Sequence, residues 1–166
     1  LKAERVVICR FKPNWDTAVI AESVAPGWTE ALGSEIEDTC WKDRGERYQT
    51  VRTHAIENIY QAGLPDCYIK QVLERFEVKA TLVVPILTNN QLFGLMIAHH
   101  CSEPRAWQQY EIDLFAQLAT LVAVAINQAR LLEQLEQARS IAEAVSQEQR
   151  QQKEKLQRQL IELLTD

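Results

Sequence analysis

Asn58-Ile59-Tyr60-Gln61-Ala62-Gly63-Leu64-Pro65-Asp66-Cys67-Tyr68-Ile69-Lys70 runs on to Phe76 and then to Val78-Lys79-Ala80-Thr81-Leu82-Val83-Val84-Pro85-Ile86, and this stretch decides how the chain is read. Gly63 and Pro65 mark a turn, and Asp66 stands where a helix N-cap belongs. Ile69, Val72, Leu73 and Phe76 then recur at helical spacing, which predicts a short amphipathic helix with Cys67 in its first turn. A thiol there faces the positive end of the peptide dipoles, a setting that favours thiolate and nucleophilic attack. Cysteine is also among the most often buried residue types, so the residues alone leave a packed, inert thiol open. The β-branched run after Val78 predicts a buried strand.

Working outward, 53–60 reads as a short edge strand or extended lead-in to the Cys67 segment. Residues 79–87 and 92–101 read as two strands joined through Thr88-Asn89-Asn90-Gln91, since Asn-Asn tolerates the positive φ of a tight hairpin. Their near-continuous apolarity predicts helices over one face. Arg5 to Phe11 is a further β-branched strand. The turn residues Pro13, Asn14 and Asp16 lead into another over 17–25, which Pro26-Gly27 ends. Cys9 lies inside an apolar strand and reads as a core thiol. Residues 28–34 fit a short helix or a loop. The charge-rich 42–51 reads as a helical piece broken near Gly45, with Asp38 a turn or cap residue and Cys40 a buried one.

The composition sets bounds. With 166 residues, 46% of them hydrophobic, one core can form but hardly two. A net charge of −5 argues against a nucleic-acid partner. No unbroken apolar run reaches the length of a membrane span and no signal peptide opens the chain, so neither membrane contact nor secretion is expected. The chain starts without Met and reads as a fragment of something longer. Cys9, Cys40, Cys67 and Cys101 show no Cys-x-x-Cys pair and no metal-site spacing with the histidines, which suits free thiols in a cytoplasmic setting. His99 and His100 are adjacent on a strand and point to opposite faces, so one ion does not easily take both. There is no phosphate loop and no nucleophile–base pair, hence no expectation of enzymatic turnover.

From Trp107 to the end, no Gly or Pro interrupts a helical pattern, and Pro104 just precedes it. Ile112, Phe115, Leu118, Leu121, Val122, Ala125 and Ile126 are expected to pack on the sheet. A heptad series then follows: Leu114, Leu121, Gln128, Leu135, Ala142, Gln149, Leu156 and Leu163, with Leu118, Ala125, Leu132, Arg139, Ser146, Lys153 and Leu160 beside it. This seam is apolar at both ends and polar in the middle. It suits a dimeric signalling helix, and a solvated tail is the competing reading.

The order of these elements resembles the GAF domains of cyanobacterial chemotaxis receptors and histidine kinases. The resemblance rests on the Cys-bearing helix, the Val-Val-Pro-Ile strand, the Gly-Leu-Met-Ile-Ala-His strand and the Pro-Arg-Ala-Trp helix, over about residues 1–131. It is closest to the bilin-binding GAF domains called cyanobacteriochromes. Asp38-Thr39-Cys40-Trp41 is similar to the Asp-x-Cys-Phe motif of one branch, with Trp in place of Phe, and its 27-residue spacing to Cys67 (67 − 40) suits that branch. The resemblance implies covalent attachment of a linear tetrapyrrole, phycocyanobilin or phycoviolobilin, by Cys67 to the ethylidene of ring A. It implies pyrrole nitrogens held by Asp38, and a second, reversible thioether from Cys40 at the methine between rings B and C. It further implies ring contacts from Tyr48 and His99 and a propionate held by Arg47. The family carries His where this chain has Tyr68, a residue that packs against the rings. Read by type alone, Arg47 is a solvated cation and Tyr48 a half-buried ring.

The expected fold is therefore α/β (α+β in layering), a GAF domain with a central antiparallel sheet of five or six strands flanked by helices. A GAF photosensory unit would occupy 1–131 and a signalling helix 132–166. The implied function is light sensing, with isomerisation at ring D relayed through a dimeric helix to an output domain of histidine kinase or chemoreceptor type. The alternative is a bilin-free GAF module that binds a small ligand such as a cyclic nucleotide, or serves only to dimerise.

Overall fold

Among the described residues, strand formers separated by turn residues build a sheet of six antiparallel strands in the order β3-β2-β1-β6-β5-β4. The strands are β1 (Arg5–Phe11), β2 (Thr17–Val24), β3 (Glu35–Ile36), β4 (His54–Ile56), β5 (Ala80–Thr88) and β6 (Gln91–His100). The structure is a computed structural model that describes residues 1–36 and 53–165. Asn89 and Asn90 take φ of 52° and 60°, the two left-handed residues of the expected β5–β6 hairpin turn. The lead-in over 53–60 contains the edge strand β4, and 28–34 is a loop. The two-residue strand β3 was not foreseen. The predicted helix over 42–51 lies outside the described residues.

The Cys67 segment departs from a regular helix. Helix α1 is only Asp66–Tyr68; a π turn follows over Ile69–Leu73 and a 3-10 turn over Glu74–Phe76. Asp66 is not the N-cap. Pro65 takes that position in an extended conformation, and no side chain caps the helix. The segment ends in a Schellman arrangement: the Val78 N–H donates to Leu73 O at 3.0 Å and the Glu77 N–H to Glu74 O at 3.0 Å. Glu77 holds the left-handed position (φ 61°) that glycine usually takes. Ile69, Leu73 and Phe76 are buried as predicted, and Val72 is half-buried.

That apolar stripe, with Val7, Cys9, Val19, Leu95 and Val78, forms the core on one face of the sheet. Alternate residues Leu82, Val84, Ile86, Met96 and Ala98 are buried on the other face, as is a stripe of helix α2 (Gln109–Thr165) at Phe115, Ala119 and Ala123. Trp107 is buried just before α2, its indole N–H donating to Ile56 O at 3.2 Å. The helix starts with half of a capping box: the Gln108 N–H donates to Glu111 Oε2 at 3.1 Å, and Arg105 pairs with the same carboxylate.

The chain falls into two compact units, Leu1–Ala125 and Ile126–Asp166. Helix α2 is long and apolar enough, by length and composition, to cross a membrane. This differs from the expectation drawn from unbroken apolar runs, because interspersed polar residues leave the average apolar.

Candidate functional site

The core face of the sheet carries an unusual polar row. Arg5 of β1 pairs in register with His99 of β6, and His99 with Thr81 of β5, so the three lie side by side on one face. All three are buried, and His99 Nδ1 and Thr81 Oγ1 have no hydrogen-bond partner among the described residues. A buried polar atom left without a partner costs free energy unless a ligand or water completes it.

Arg5 is fully enclosed, and its surroundings account for it. Its guanidinium donates to Phe76 O at 2.7 Å and to Thr29 O, faces Cys101 Sγ at 3.6 Å, and lies over the Phe76 ring at 5.6 Å. Its Nε is 3.1 Å from Glu22 Oε1. Glu22 in turn accepts from the N–H groups of Ala31 and Leu32 at 2.9 and 2.8 Å. Arg5 thereby ties the end of the Cys67 segment to β1, β2 and the loop after β2. Burial first, and the Arg5 charge second, push the His99 pKa down to about 3, so the ring is neutral at physiological pH.

His99 lines an enclosed cavity of about 40 Å³, together with Cys9, Tyr68, Val72, Phe76 and Ile97. That space suits one water, far below the several hundred Å³ of a cofactor pocket. These residues are therefore a wall against which a flat ligand could lie, not a complete pocket. Cys67 immediately precedes Tyr68 of this wall and is half-buried. The other described thiols are shut in: burial pushes Cys9 up to about 12 and raises Cys101. Cys67 is the accessible nucleophile among the described cysteines, on grounds of exposure.

The structure thus brings Tyr68 and His99 to one cavity, and Cys67 is the residue before Tyr68. Asp38, Cys40, Arg47 and Tyr48 lie outside the described residues. Thr81, Arg5 and Glu22 were not anticipated. His100 is turned away from His99, with Nδ1 2.8 Å from Glu103 O and Nε2 3.7 Å from Glu4 Oε1. No group of three potential metal ligands occurs among the described residues.

The arrangement fits a flat, conjugated, mostly apolar ligand with a few polar atoms, anchored through a thiol. A family model described as the GAF domain matches residues 1–126. A putative methyl-accepting chemotaxis protein of Synechocystis sp. (strain PCC 6803) is 48% identical over 167 residues, which is 100% of this chain and 16% of that protein. The circadian input-output histidine kinase CikA of Thermosynechococcus vestitus is 30% identical over 65% of this chain and 16% of its own length. The chain therefore spans about a sixth of either relative. Among solved structures, the blue-light-absorbing form of the Thermosynechococcus elongatus PixJ GAF domain superposes with a TM-score of 0.73 at 42% identity, covering 82% of this chain and 81% of that one. The red-light-absorbing state of NpR6012g4, a red/green cyanobacteriochrome, gives 0.71 at 36% identity over 80% and 87%. The chain belongs to the GAF domain family, and its fold is that of the cyanobacteriochrome GAF domains.

Proposed function

We propose that this chain is a light sensor that holds a bilin, of phycocyanobilin or phycoviolobilin type, through a thioether at Cys67. The carrying observation is a half-buried thiol next in sequence to Tyr68 of a buried wall in which His99 Nδ1 has no partner among the described residues. A bound bilin supplies visible absorption and light-driven isomerisation at the bond joining rings C and D. The chain's own residues bind and orient. Cys67 would hold the bilin by a thioether to the ring A ethylidene carbon, an addition that would place the thiol proton on the neighbouring ring carbon and need no oxidant. His99, kept neutral, offers a hydrogen bond from the sheet, with Thr81 as its neighbour, and Tyr68 packs against the rings where the family has His. Asp38 holds the pyrrole nitrogens, Arg47 a propionate, and Tyr48 a ring face. Arg5 keeps the end of the Cys67 segment fixed on the sheet.

The PixJ domain has blue- and green-light-absorbing states at 42% identity to this chain, which supports a blue/green cycle here, with Cys40 as the second, reversible thiol. The chain acts as a sensor and not by turnover, and works in the cytoplasm. A chemoreceptor or histidine kinase output domain receives the signal through α2, which pairs with α2 of a second copy along the heptad seam that includes Leu135 and Leu156. The test is co-expression with bilin-synthesis enzymes followed by alternating illumination. A reversible blue/green absorbance change is expected, and Cys40→Ala should leave only the long-wavelength state. A colourless protein would refute the bilin reading; a Cys40→Ala cycle superimposable on the wild type would refute the second thiol.

A further inference from the structure

We infer that Trp107 and Arg105 form the clasp through which a change at the Cys67 segment reaches the first turns of α2. Ile56 and Glu57, at the end of β4, stand between the two. The Ile56 side chain packs against the apolar cluster that holds Ile59, Ile69, Leu73 and Phe76, the core on which the Cys67 segment rests. Its carbonyl accepts from the Trp107 indole N–H at 3.2 Å. Next to it, Glu57 O accepts from the Arg105 N–H at 2.9 Å. A close-packed interior transmits displacement because it has little room to absorb it, so a shift of Ile69 or Leu73 is felt at Ile56.

On its far side the clasp is built into the helix start. The Arg105 guanidinium lies over the Trp107 ring at 4.7 Å and pairs with Glu111. Glu111 is buried and accepts from the Gln108 N–H at 3.1 Å, so the carboxylate that caps α2 is the one Arg105 holds. An open groove of about 620 Å³ is lined by both 55–58 and 104–106, so little side-chain packing supports the bonds along it. The other ties of the β6–α2 connection lead elsewhere. The Cys101 N–H and Ser102 Oγ donate to Glu4, at 2.9 and 3.0 Å, near the first residue of the sequence. Cys101 Sγ does approach Phe76 O, at the end of the Cys67 segment, and is the rival route. At 3.7 Å from a weak thiol donor, it is the looser link.

The clasp deepens the sensor reading above and rests on it. It is tested by hydrogen–deuterium exchange on the bilin-loaded 166-residue chain, held in each light state. In the wild type, the amides of 112–118 should exchange at rates that differ by about 5-fold or more between the two states. Trp107→Phe keeps a buried ring and removes the N–H. It should photoconvert as the wild type does, while the exchange difference falls below about 2-fold. Arg105→Gln, which releases Glu111, should do the same, and it decides alone if circular dichroism shows Trp107→Phe unfolded. Cys101→Ala, which cuts the rival route, should keep the wild-type difference. A difference that persists in a folded clasp variant, or is lost in Cys101→Ala, would overturn the clasp. So would a clasp variant that holds bilin without photoconverting, or equal exchange in both states of a photoconverting wild type. A colourless wild type is a separate failure, which would refute the bilin reading and the clasp with it.

Discussion

At the scale of single residues, the site depends on polar groups that the fold encloses without completing. His99 has an ordinary pKa of 6.5 and a folded value of about 3. As pH falls through 6.5, the unfolded chain takes up a proton that the folded chain refuses until about 3, so stability is lost across that window and unaffected above it. At pH 5 the loss is about 2 kcal/mol from this residue. His99→Gln should lose less stability than the wild type between pH 7 and pH 5 by about that amount, measured by urea unfolding at both values; parallel losses would show the imidazole is not shielded. The sequence announced His99, Cys67 and Tyr68 because each sits at a motif. Arg5 and Thr81 were silent. A charged residue opening a strand reads as solvated, and only the structure shows Glu22, Phe76 O and Thr29 O converging on it. Thr81 was hidden by register. Counting back from the Asn89-Asn90 turn gives it Ala98 as partner, but a shift between Ile86 and Leu87 pairs it with His99 instead.

At the scale of elements, alternation and turn residues made the strands legible nearly to their ends, because burial on one face repeats every second residue. Irregular backbone was not legible. The π turn in the Cys67 segment has the same apolar spacing as an α-helix over so few residues, and β3 has only two residues to show a period. Gly94 also gave no signal of its own. A Cβ there would stand 1.9 Å from Cys9 O, where β6 runs against β1. Backbone cannot yield as a flexible side chain does. Gly94→Ala should therefore cost at least about 2 kcal/mol by overpacking, seen as a lower denaturation midpoint. An unchanged midpoint would mean that β1 and β6 are less closely apposed.

At the scale of the molecule, a GAF unit carries a half-buried thiol next in sequence to a residue of its sheet wall, and the 57-residue helix α2 begins within this unit. Fold and family were legible because the order of motifs spans nearly the whole first unit. Asp38, Cys40, Arg47 and Tyr48, which the resemblance names, fall in the segment outside the described residues. The central claim is that Cys67 is the anchor of a bilin. Trypsin should release residues 53–70 as one peptide, which contains Cys67 and no other cysteine. In protein co-expressed with bilin-synthesis enzymes and denatured before digestion, mass spectrometry should find that peptide heavier by one bilin, with visible absorbance travelling with it. An unmodified 53–70 peptide from coloured protein, or an adduct on a peptide bearing Cys9 or Cys101, would contradict the account.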